Sequence, residues 1–473
     1  MYNCTANYIN GKWVKSGAGT EHDIINPTTE MPIGKVAYGT PEDVDLAVAA
    51  ARAAFESFSS WTVAQRLELL GSIVDAYKTR WNDIAAAITA EMGAPAEFSL
   101  RAQTGSGLGH LRAAIAALQE MDLEEAVGES TVLKEPIGVC GLITPWNWPI
   151  NQIVCKVAPA LAAGCTMVLK PSEIAPVNAT LFAEVMDQSG VPAGVFNLVH
   201  GDGPGVGNAL STHPGIDMMS FTGSTRAGIL VAKASADTVK RVSQELGGKS
   251  ANIILPDAPL KEAVINGVHG MFHNSGQSCN APSRMLVQKD FYEEAVAIAA
   301  AEAARIHPGD PTDPESEIGP VISQLQYNKI QALIEQGVEE GAKVAAGGPG
   351  KPAGLETGYF VKPTIFSDVN NDMTIAREEI FGPVLCMIPY TDVDEAVRIA
   401  NDSDFGLSGY VWGATTEEAM AVARRLRTGM VHLNGAPTDV LAPFGGYRQS
   451  GNGREWGSHG IEDFLEIKAV MGA

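Results

Sequence analysis

Basic residues are scarce in this sequence compared with acidic ones. The chain has 33 lysines and arginines against 55 aspartates and glutamates, which gives a net charge of −22. Nucleic acids and anionic membrane surfaces are bound through basic patches, so this charge argues against both as partners. A long uninterrupted apolar run is also missing. The most apolar region, residues 139–169, is broken by prolines, asparagines and Lys156 and cannot span a bilayer.

Targeting and disulfide signals are absent as well. The first residues lack a basic head followed by an apolar run. The six cysteines are spread over 473 residues, whereas a disulfide scaffold is shorter and richer in cysteine. Neither C-x-x-C nor H-E-x-x-H spacing occurs, so no metal site is indicated. We therefore expect a cytoplasmic protein, or one whose targeting segment lies outside this sequence.

The N-terminal quarter of the chain contains helix signals. Residues 40–43, T-P-E-D, combine a capping hydroxyl, a proline in the first turn and two acids, and they predict a helix start. A second long helix is predicted over 65–92, ending at Gly93. The pattern becomes strand-like over 129–143.

Further along, short apolar strands alternate with helical stretches. This alternation covers 166–255 and continues over 259–432, and it is typical of parallel sheets flanked by helices. A chain of this length exceeds what one hydrophobic core usually supports. We predict an α/β protein with two interleaved α/β domains and a small extended piece near 122–137.

One cysteine is set among small and polar neighbours. Cys279 lies in residues 274–282, N-S-G-Q-S-C-N-A-P. Such a cysteine is either an accessible nucleophile, which needs a base and a polarising environment, or a small buried apolar residue. Glu245, in E-L-G-G-K-S, and Asn147, in T-P-W-N-W-P, could supply the base and an oxyanion donor.

Two glycine-rich turns are candidates for phosphate binding, because bare backbone and helix N-terminal amides can approach an anion. The turn over 201–207, G-D-G-P-G-V-G, follows a strand but does not satisfy G-x-G-x-x-G. The turn over 223–228, G-S-T-R-A-G, has phosphate-loop spacing but lacks the G-K-[ST] ending of an ATPase. Ser224 and the backbone amides of this second turn could bind a pyrophosphate.

Lys170 and Glu173, in L-K-P-S-E, come just after a predicted strand, where open α/β sheets bind ligands. A carboxylate there can accept hydrogen bonds from ribose hydroxyls and would repel a 2′-phosphate. The ordinary dinucleotide fingerprint places its acid after the glycine loop. Because Glu173 precedes it, either the cofactor is bound in an unusual way or this pair is part of a solvated loop.

Taken together, these pieces resemble the NAD(P)-dependent aldehyde dehydrogenase superfamily over nearly the whole chain. The motifs that carry the resemblance occur in the family's order: T-P-W-N-W-P, L-K-P-S-E, F-T-G-S-T-R-A-G, E-L-G-G-K-S, G-Q-S-C, E-E-I-F-G-P-V and P-F-G-G-Y-R-Q-S-G-N-G-R-E. The resemblance implies a Rossmann-like cofactor domain, an α/β catalytic domain and a small β oligomerisation arm. It also implies oxidation of an aldehyde to the carboxylic acid with NAD(P).

The resemblance assigns catalytic roles residue by residue. Cys279 is expected to be the nucleophile that forms a thiohemiacetal and then a thioester, and Glu245 the base. Asn147 would share the oxyanion hole with the Cys279 backbone amide. Lys156 and Glu455 match the family's outer proton-relay positions, although a structural ion pair would explain them equally well. Members that pass the acyl group to coenzyme A generally lack the glutamate, so Glu245 indicates the hydrolytic branch.

The resemblance also implies which residues bind small molecules. The cofactor is expected to be NAD, with NADP possible, and to contact Ile143, Thr144, Trp146, Lys170, Glu173, Gly203, Gly207, Phe221, Gly223, Ser224, Leu246, Glu379 and Phe381. The aldehyde tunnel is expected to contain Trp148, Gln152, Cys155, Ser278, Asn280 and Thr438. Because Cys155 stands where the family often has a bulkier residue, we expect a wide tunnel for medium-sized aliphatic or aromatic aldehydes.

The expected domain boundaries follow from the same resemblance. Residues 1–121 and 138–247 would form the NAD-binding domain, 248–448 the catalytic domain, and 122–137 with 462–473 the arm. The arm implies a homodimer or homotetramer, in which residues 132–139 and 464–470 would pair across subunits.

Three alternatives remain open. The protein could be a coenzyme A-acylating semialdehyde dehydrogenase, or a non-catalytic NAD-binding protein of the same fold. It could also be a cysteine hydrolase, with His269 or His273 as the partner of Cys279.

Overall fold

Strands and helices alternate along most of the chain, as the sequence predicts. The computed structural model describes residues 1–16 and 20–472. The strands are β1 (Tyr2–Cys4), β2 (Ala6–Ile9), β3 (Lys12–Lys15), β4 (Glu21–Ile25), β5 (Pro32–Ala37), β6 (Glu124–Val127), β7 (Ser130–Pro136), β8 (Val139–Ile143), β9 (Thr166–Lys170), β10 (Phe196–Leu198), β11 (Met218–Thr222), β12 (Arg241–Glu245), β13 (Ala251–Ile254), β14 (Arg284–Gln288), β15 (Lys343–Ala346), β16 (Thr364–Ser367), β17 (Val384–Tyr390), β18 (Ser408–Trp412), β19 (Met430–Leu433), β20 (Gly451–Asn452) and β21 (Leu465–Met471).

The α-helices are α1 (Pro41–Phe58), α2 (Val63–Thr79), α3 (Trp81–Met92), α4 (Ala96–Phe98), α5 (Thr104–Glu120), α6 (Pro149–Ala163), α7 (Val177–Gln188), α8 (Asn208–Thr212), α9 (Thr225–Ser235), α10 (Leu260–Phe272), α11 (Lys289–Ala303), α12 (Gln324–Glu339), α13 (Thr374–Arg377), α14 (Val393–Asn401), α15 (Thr416–Ala423) and α16 (Gly457–Glu462). Within the part of the chain that is described, none of these helices is long and apolar enough to cross a membrane.

The larger sheet has the strand order β20-β12-β11-β8-β9-β10-β2-β3. The five strands from β12 to β10 are parallel, and the flanking strands are antiparallel. Strand β8 is buried on both faces, because Cys140 and Leu142 pack in one apolar cluster while Val139 and Ile143 pack in another. A parallel sheet covered by helices on both faces requires such continuous apolar strands.

A second sheet has the order β15-β16-β17-β14-β13-β18-β19 and is parallel except for β15. The chain leaves the first sheet after β12 and enters the second at β13, so residues 246–250 connect the two. It returns when β20 pairs with β12, where Gly451 lies opposite Glu245. Glu245, at the end of β12, therefore lies where the chain crosses between the sheets. The domain boundaries themselves stay a prediction.

The arm residues form a separate three-stranded sheet with the order β21-β7-β6. Strands β7 and β21 are antiparallel to each other within one chain, from Leu465 opposite Pro136 to Met471 opposite Ser130. The two segments therefore pair with each other within one chain, and β21 is an edge strand of this sheet. Pairing across subunits stays a prediction. Val139 belongs to the larger sheet instead. Ala473, the last residue assigned to the arm, lies outside the described residues.

Helix boundaries follow local capping. Thr40 and Asp43 form a reciprocal capping box at the start of α1, as the sequence predicts. The single helix predicted over 65–92 is instead two helices, α2 and α3. The backbone leaves helical geometry at Arg80 (φ −103°, ψ 10°), whose N–H bonds back to the carbonyl of Tyr77. No proline or glycine marks this break, whereas the predicted end at Gly93 (φ 80°) is confirmed.

Candidate active site

The loop that carries Cys279 follows α10 and is held in one conformation. Asn274 and Ser275 both have φ of 55°, in the left-handed region. The Asn274 side chain stabilises this turn, since Oδ1 accepts from Gln103 Nε2 at 3.0 Å and Nδ2 donates to the carbonyl of Asn147 at 2.8 Å. Gly276 has no room for a side chain, because a Cβ would lie 2.1 Å from the carbonyl oxygen of Gly382. These contacts tie the cysteine loop to the Asn147 loop.

Cys279 is partly exposed and lies in the wall of two cavities. The first cavity, of about 180 Å³, is called the nucleotide cavity below. It is lined by Pro145, Trp146, Asn147, Thr222, Gly223, Ser224, Leu246, Gly247, Cys279, Gln326, Lys329, Glu379 and Phe381. The second, of about 370 Å³, is called the aldehyde cavity. It is lined by Ala102, Ser106, Trp148, Asn151, Gln152, Cys279, Asn280, Thr438, Val440, Phe444 and Trp456.

Two ionisable groups near this junction, Cys279 and Glu245, have pKa values above their ordinary ones. Burial raises the pKa of the Cys279 thiol, and the charges of Glu379 and Glu245 raise it further. Burial also raises the pKa of Glu245 well above its usual range, and the neighbouring Glu455 adds to the effect. Neither carboxylate oxygen of Glu245 has a hydrogen-bond partner among residues 1–16 and 20–472. A buried carboxyl group without a partner has a raised pKa because nothing stabilises its charge, and such groups are frequent at functional sites.

Lys156 and Glu455 form a buried ion pair between α6 and the segment after β20. Lys156 Nζ also donates to Ser220 Oγ at 3.0 Å on the neighbouring strand β11. Although burial works against the charge, Glu455 raises the pKa of Lys156. The pair lies close enough to Glu245 for both charges to affect the pKa of its carboxyl group: Glu455 raises it and Lys156 lowers it. This geometry fits a structural ion pair and also a route for protons to Glu245.

Asn147 is buried at the nucleotide cavity with its amide oriented. Its Nδ2 donates to the carbonyl of Gln277 at 3.0 Å, two residues before Cys279. An amide nitrogen carries two hydrogens, so this bond fixes the group and leaves one N–H for another acceptor. Asn147 is therefore able to act as an oxyanion donor beside the cysteine.

Further residues assigned to the cofactor surround the nucleotide cavity. Ser224 is the N-cap of α9, where its Oγ accepts from the amide of Ala227 at 3.3 Å, and Gly223 precedes it. A Cβ on Gly223 would lie 2.6 Å from the ring of Phe221, so only glycine fits. A helix N-terminus of this kind has positive polarity and suits a pyrophosphate.

On the opposite wall, Glu379 and Phe381 flank the cysteine. Glu379 Oε1 accepts from the amide of Gly248 at 2.9 Å, and burial raises the pKa of this carboxyl. Phe381 (φ 62°) packs edge-on against Trp146, with ring centroids 5.4 Å apart. Both residues are thus placed on the same side as Trp146 and Leu246.

The other predicted cofactor residues lie at the carboxyl ends of β8, β9 and β11, or on the turn after β10. Lys170 Nζ donates to the carbonyl of Pro171 at 2.7 Å and to Glu173 Oε2 at 3.3 Å, and burial lowers the pKa of Lys170. A Cβ on Gly207 would lie 3.7 Å from the side chain of Lys170 and 3.8 Å from that of Ile143. The amide of Thr144 donates to the carbonyl of Lys170. Asp202 caps the short turn that contains Gly203 and Gly207. Helix α8 begins at Asn208, directly after this turn.

Comparison with known proteins decides the family. The sequence profile of the aldehyde dehydrogenase family matches residues 13–470. The chain belongs to this family. The predicted family and the predicted α/β fold are therefore confirmed.

Individual aldehyde dehydrogenases agree closely with this one. The 3-succinoylsemialdehyde-pyridine dehydrogenase of Pseudomonas sp. is 59% identical over 466 residues, 98% of each chain. Aldehyde dehydrogenase C of Pseudomonas syringae, solved as a cysteine-to-alanine mutant with NAD⁺ and octanal, is 49% identical with a TM-score of 0.98, covering 99% of this chain and 97% of that one. Betaine aldehyde dehydrogenase of Staphylococcus aureus, solved with NAD⁺, is 37% identical with a TM-score of 0.95, covering 98% and 94%.

In this aldehyde dehydrogenase, four of the predicted tunnel residues line the aldehyde cavity: Trp148, Gln152, Asn280 and Thr438. Ser278 accepts a hydrogen bond from Trp148 Nε1 at 2.8 Å and so holds the indole ring in place. Cys155 is placed differently from the expectation. Its thiol turns towards Glu455 Oε2, at 3.4 Å, and it is not among the residues that line the cavity.

Some residues of the aldehyde cavity were missed by sequence reasoning. They are Ala102, Ser106, Asn151, Val440, Phe444 and Trp456. Asn151 could have been noticed, since it adjoins Gln152 on the same predicted helix. The others come from distant segments that only the fold brings together. The two histidines considered for a hydrolase lie elsewhere: His269 bonds to Glu302 at 2.8 Å, and the ring of His273 lies beside Phe98.

Proposed function

We propose that this protein oxidises an aldehyde to the carboxylic acid with NAD⁺, through a covalent intermediate on the sulfur of Cys279. The observation that carries the proposal is the position of Cys279 in the wall of both cavities, one with phosphate-binding features and one with aromatic walls. A nucleophile at that junction can meet an aldehyde carbon from one side and a redox cofactor from the other. Holding the nucleophile and both reactants together in this geometry lowers the activation barrier, because the entropy of bringing them together has already been lost on binding.

The nucleotide cavity fits a dinucleotide on grounds of shape and charge. The start of α9 offers free amides beside Gly223, where a side chain would block the approach. Glu173 is partly exposed beside Lys170 and offers carboxylate oxygens to ribose hydroxyls. Glu379 and Phe381 would hold the nicotinamide half. When bound there, NAD⁺ supplies the acceptor for the hydride that the substrate carbon loses. The NAD⁺ complexes of two relatives support this choice.

In the first chemical stage, the thiol proton of Cys279 passes to water, the sulfur bonds to the aldehyde carbon, and the π electrons of the carbonyl move to its oxygen. The resulting thiohemiacetal carries negative charge on oxygen. The free N–H of Asn147 and the Cys279 backbone amide would stabilise that charge, and losing one such donor typically costs ~2.7–4 kcal/mol. Loss of the hydride from carbon leaves a thioester on the sulfur.

In the second stage, Glu245 takes a proton from water that attacks the thioester. The raised pKa of Glu245 suits it to this role, because a base works best when its pKa lies near the operating pH. Water attack breaks the carbon–sulfur bond, releases the acid and restores the thiol. The presence of this carboxyl group supports hydrolysis rather than transfer to coenzyme A.

A panel of aldehydes tests the proposed function directly. Purified protein with NAD⁺ should give NADH from medium-sized aliphatic and aromatic aldehydes, because the aldehyde cavity is large and aromatic. The relatives that act on a pyridine semialdehyde or bind octanal support both substrate types. The readout is absorbance in the NADH band, with acid formation measured in the same samples. Failure of every aldehyde to give NADH would contradict the proposal.

Cofactor preference should follow Glu173. We expect kcat/KM for NAD⁺ to exceed that for NADP⁺, because the Glu173 carboxylate would repel a 2′-phosphate. Glu173→Gln keeps the side-chain volume but removes the charge. It should lower the NAD⁺ to NADP⁺ ratio by about tenfold, a change of about 1.4 kcal/mol. Glu184→Gln, a charge removal on the neighbouring helix α7, is the matched control and should leave the ratio unchanged. An unaltered ratio in Glu173→Gln would exclude this carboxylate as the source of preference.

Assembly and location follow from other features. We infer a homodimer or homotetramer built on the arm, since β21 is an edge strand of the arm sheet with Ile467 and Met471 exposed. The cysteines are free thiols, which fits a reducing compartment such as the cytoplasm.

A further inference from the structure

The aldehyde cavity combines aromatic walls with a lack of charge. The rings of Phe444 and Trp456 pack at a tilt of 33° with centroids 4.4 Å apart, and Trp148 packs edge-on against Phe98 at 5.4 Å. No lysine, arginine, histidine, aspartate or glutamate is among the described residues that line it. Because burying an unpaired charge is costly, this lining favours an uncharged substrate with an aromatic or apolar body.

One polar group in this wall is oriented by a buried partner. Asn151, on the first turn of α6, places its Oδ1 2.8 Å from Nε2 of His110 on α5. Its Nδ2 donates to no atom of the described residues, yet it is not among the fully enclosed unpaired atoms. Since Asn151 lines the aldehyde cavity, this amide N–H group is accessible from the cavity.

His110 determines which end of the amide faces the cavity. Its ring is 3% exposed and lies against Trp456, with ring centroids 5.0 Å apart. Burial lowers the pKa of His110 to about 4, so the imidazole is neutral at neutral pH and carries one ring proton. That proton lies on Nε2 when Asn151 Oδ1 accepts it. The bond therefore holds the acceptor end of the amide away from substrate and leaves the donor end for it.

The neighbouring amide lacks this arrangement. Gln152 also lines the cavity, but within residues 1–16 and 20–472 the only hydrogen-bond partner of its Oε1 is the thiol of Cys155, at 4.0 Å. A thiol at that distance is a weak partner and does not fix the orientation of the amide. Asn151 is thus the amide in this wall that is oriented by a strong hydrogen bond.

We infer that Asn151 determines specificity by donating a hydrogen bond from Nδ2 to an acceptor on an uncharged aryl aldehyde, such as a ketone oxygen or a ring nitrogen. His110 is the positioning residue. The inference rests on the proposed function and goes beyond it by naming the polar feature of the substrate. A site built to hydrogen-bond a substrate group discriminates against analogues that lack it, because its own polar group is then left unpaired.

Two matched aldehydes test the inference. In the first, a phenyl ketone is joined to the aldehyde through two methylene groups; in the second, a methylene replaces the ketone carbonyl. We expect wild-type kcat/KM to favour the ketone aldehyde by about tenfold. Asn151→Leu, which keeps the number of side-chain heavy atoms and removes the donor, should bring the ratio of the two kcat/KM values close to one.

His110→Phe separates positioning from simple packing. It retains an aromatic ring against Trp456 but releases the Asn151 amide, so the ketone preference should fall while the second aldehyde is oxidised as before. A general loss of structure would lower both rates together and leave their ratio unchanged. Equal ratios in wild type and both variants would overturn the inference and leave the proposed function standing. No NADH from either aldehyde with the wild-type protein would overturn both.

Discussion

Cys279→Ala should abolish NADH formation from aldehydes, lowering kcat by at least ~10⁴-fold, because no other group at the junction of the cavities can form the covalent intermediate. Removing the sulfur leaves the nucleotide cavity intact, since the Ser224 helix start, Glu379 and Phe381 do not depend on it. NAD⁺ should therefore bind to the variant with unchanged affinity. Steady-state absorbance measures the first effect and calorimetric titration with NAD⁺ the second.

The chain offers a matched control for this substitution. Cys386 is also a free cysteine, but it is fully buried in the second sheet, where its thiol donates to the carbonyl of Ile375. Cys386→Ala should keep kcat near the wild-type value, with a modest loss of stability from the small cavity it leaves. Normal dehydrogenase activity in Cys279→Ala would rule out the covalent route. Loss of NAD⁺ binding in the same variant would mean that the cysteine also shapes the nucleotide cavity.

Glu245→Gln should separate the two chemical stages. The amide cannot accept a proton from water, so the thioester should form at a near-normal rate and then break down slowly. We expect a burst of about one NADH per active site, followed by turnover ~10²–10⁴-fold below wild type. Stopped-flow absorbance resolves the burst, and mass spectrometry of the quenched enzyme should detect the acyl group on the Cys279 peptide.

The pH profile provides an independent test of Glu245. Burial and Glu455 raise its pKa, so the carboxyl keeps its proton to a higher pH than an exposed glutamate does. Hydrolysis needs the ionised form, and wild-type kcat should therefore fall as pH drops through this raised pKa. This decrease in kcat at low pH should be absent from Glu245→Gln. Glu302→Gln, which alters a carboxyl paired with His269 far from the cysteine, should retain it. If Glu245→Gln gave no burst of NADH, or kept the same decrease in kcat at low pH, the role of Glu245 as the base would be contradicted.

Local signals predicted much of the fold. Strands such as β9 and β11 could be predicted from their continuous apolar sequences, which occur because helices cover both faces of the sheet. Capping residues predicted the start of α1 and the end of α3. The break at Arg80 was not predictable in the same way, since neither proline nor glycine marks it. The pairing of β7 with β21 joins segments more than 300 residues apart, and no local pattern specifies such a partner.

The same distinction between local motifs and long-range packing applies to the candidate site. Cys279, Glu245 and Asn147 were singled out because each lies in a short motif with its own chemistry. The direction of a side chain was not available from any motif. Cys155 therefore looked like part of the tunnel until its thiol was found against Glu455. Asn151 was overlooked because its importance comes from His110, a residue on another helix. The spacing of residues in the sequence can identify candidate reactive residues, whereas the orientation of their side chains depends on packing between secondary-structure elements.

The loop T-P-W-N-W-P places Trp146 in the wall of the nucleotide cavity and Trp148 in the wall of the aldehyde cavity, on either side of Asn147. Each indole is thus a natural optical probe of a different ligand. Emission from Trp146 would respond to the dinucleotide and emission from Trp148 to the aldehyde. With the other six tryptophans replaced by phenylalanine in each case, the order in which the two ligands arrive could be followed in real time without attaching a dye.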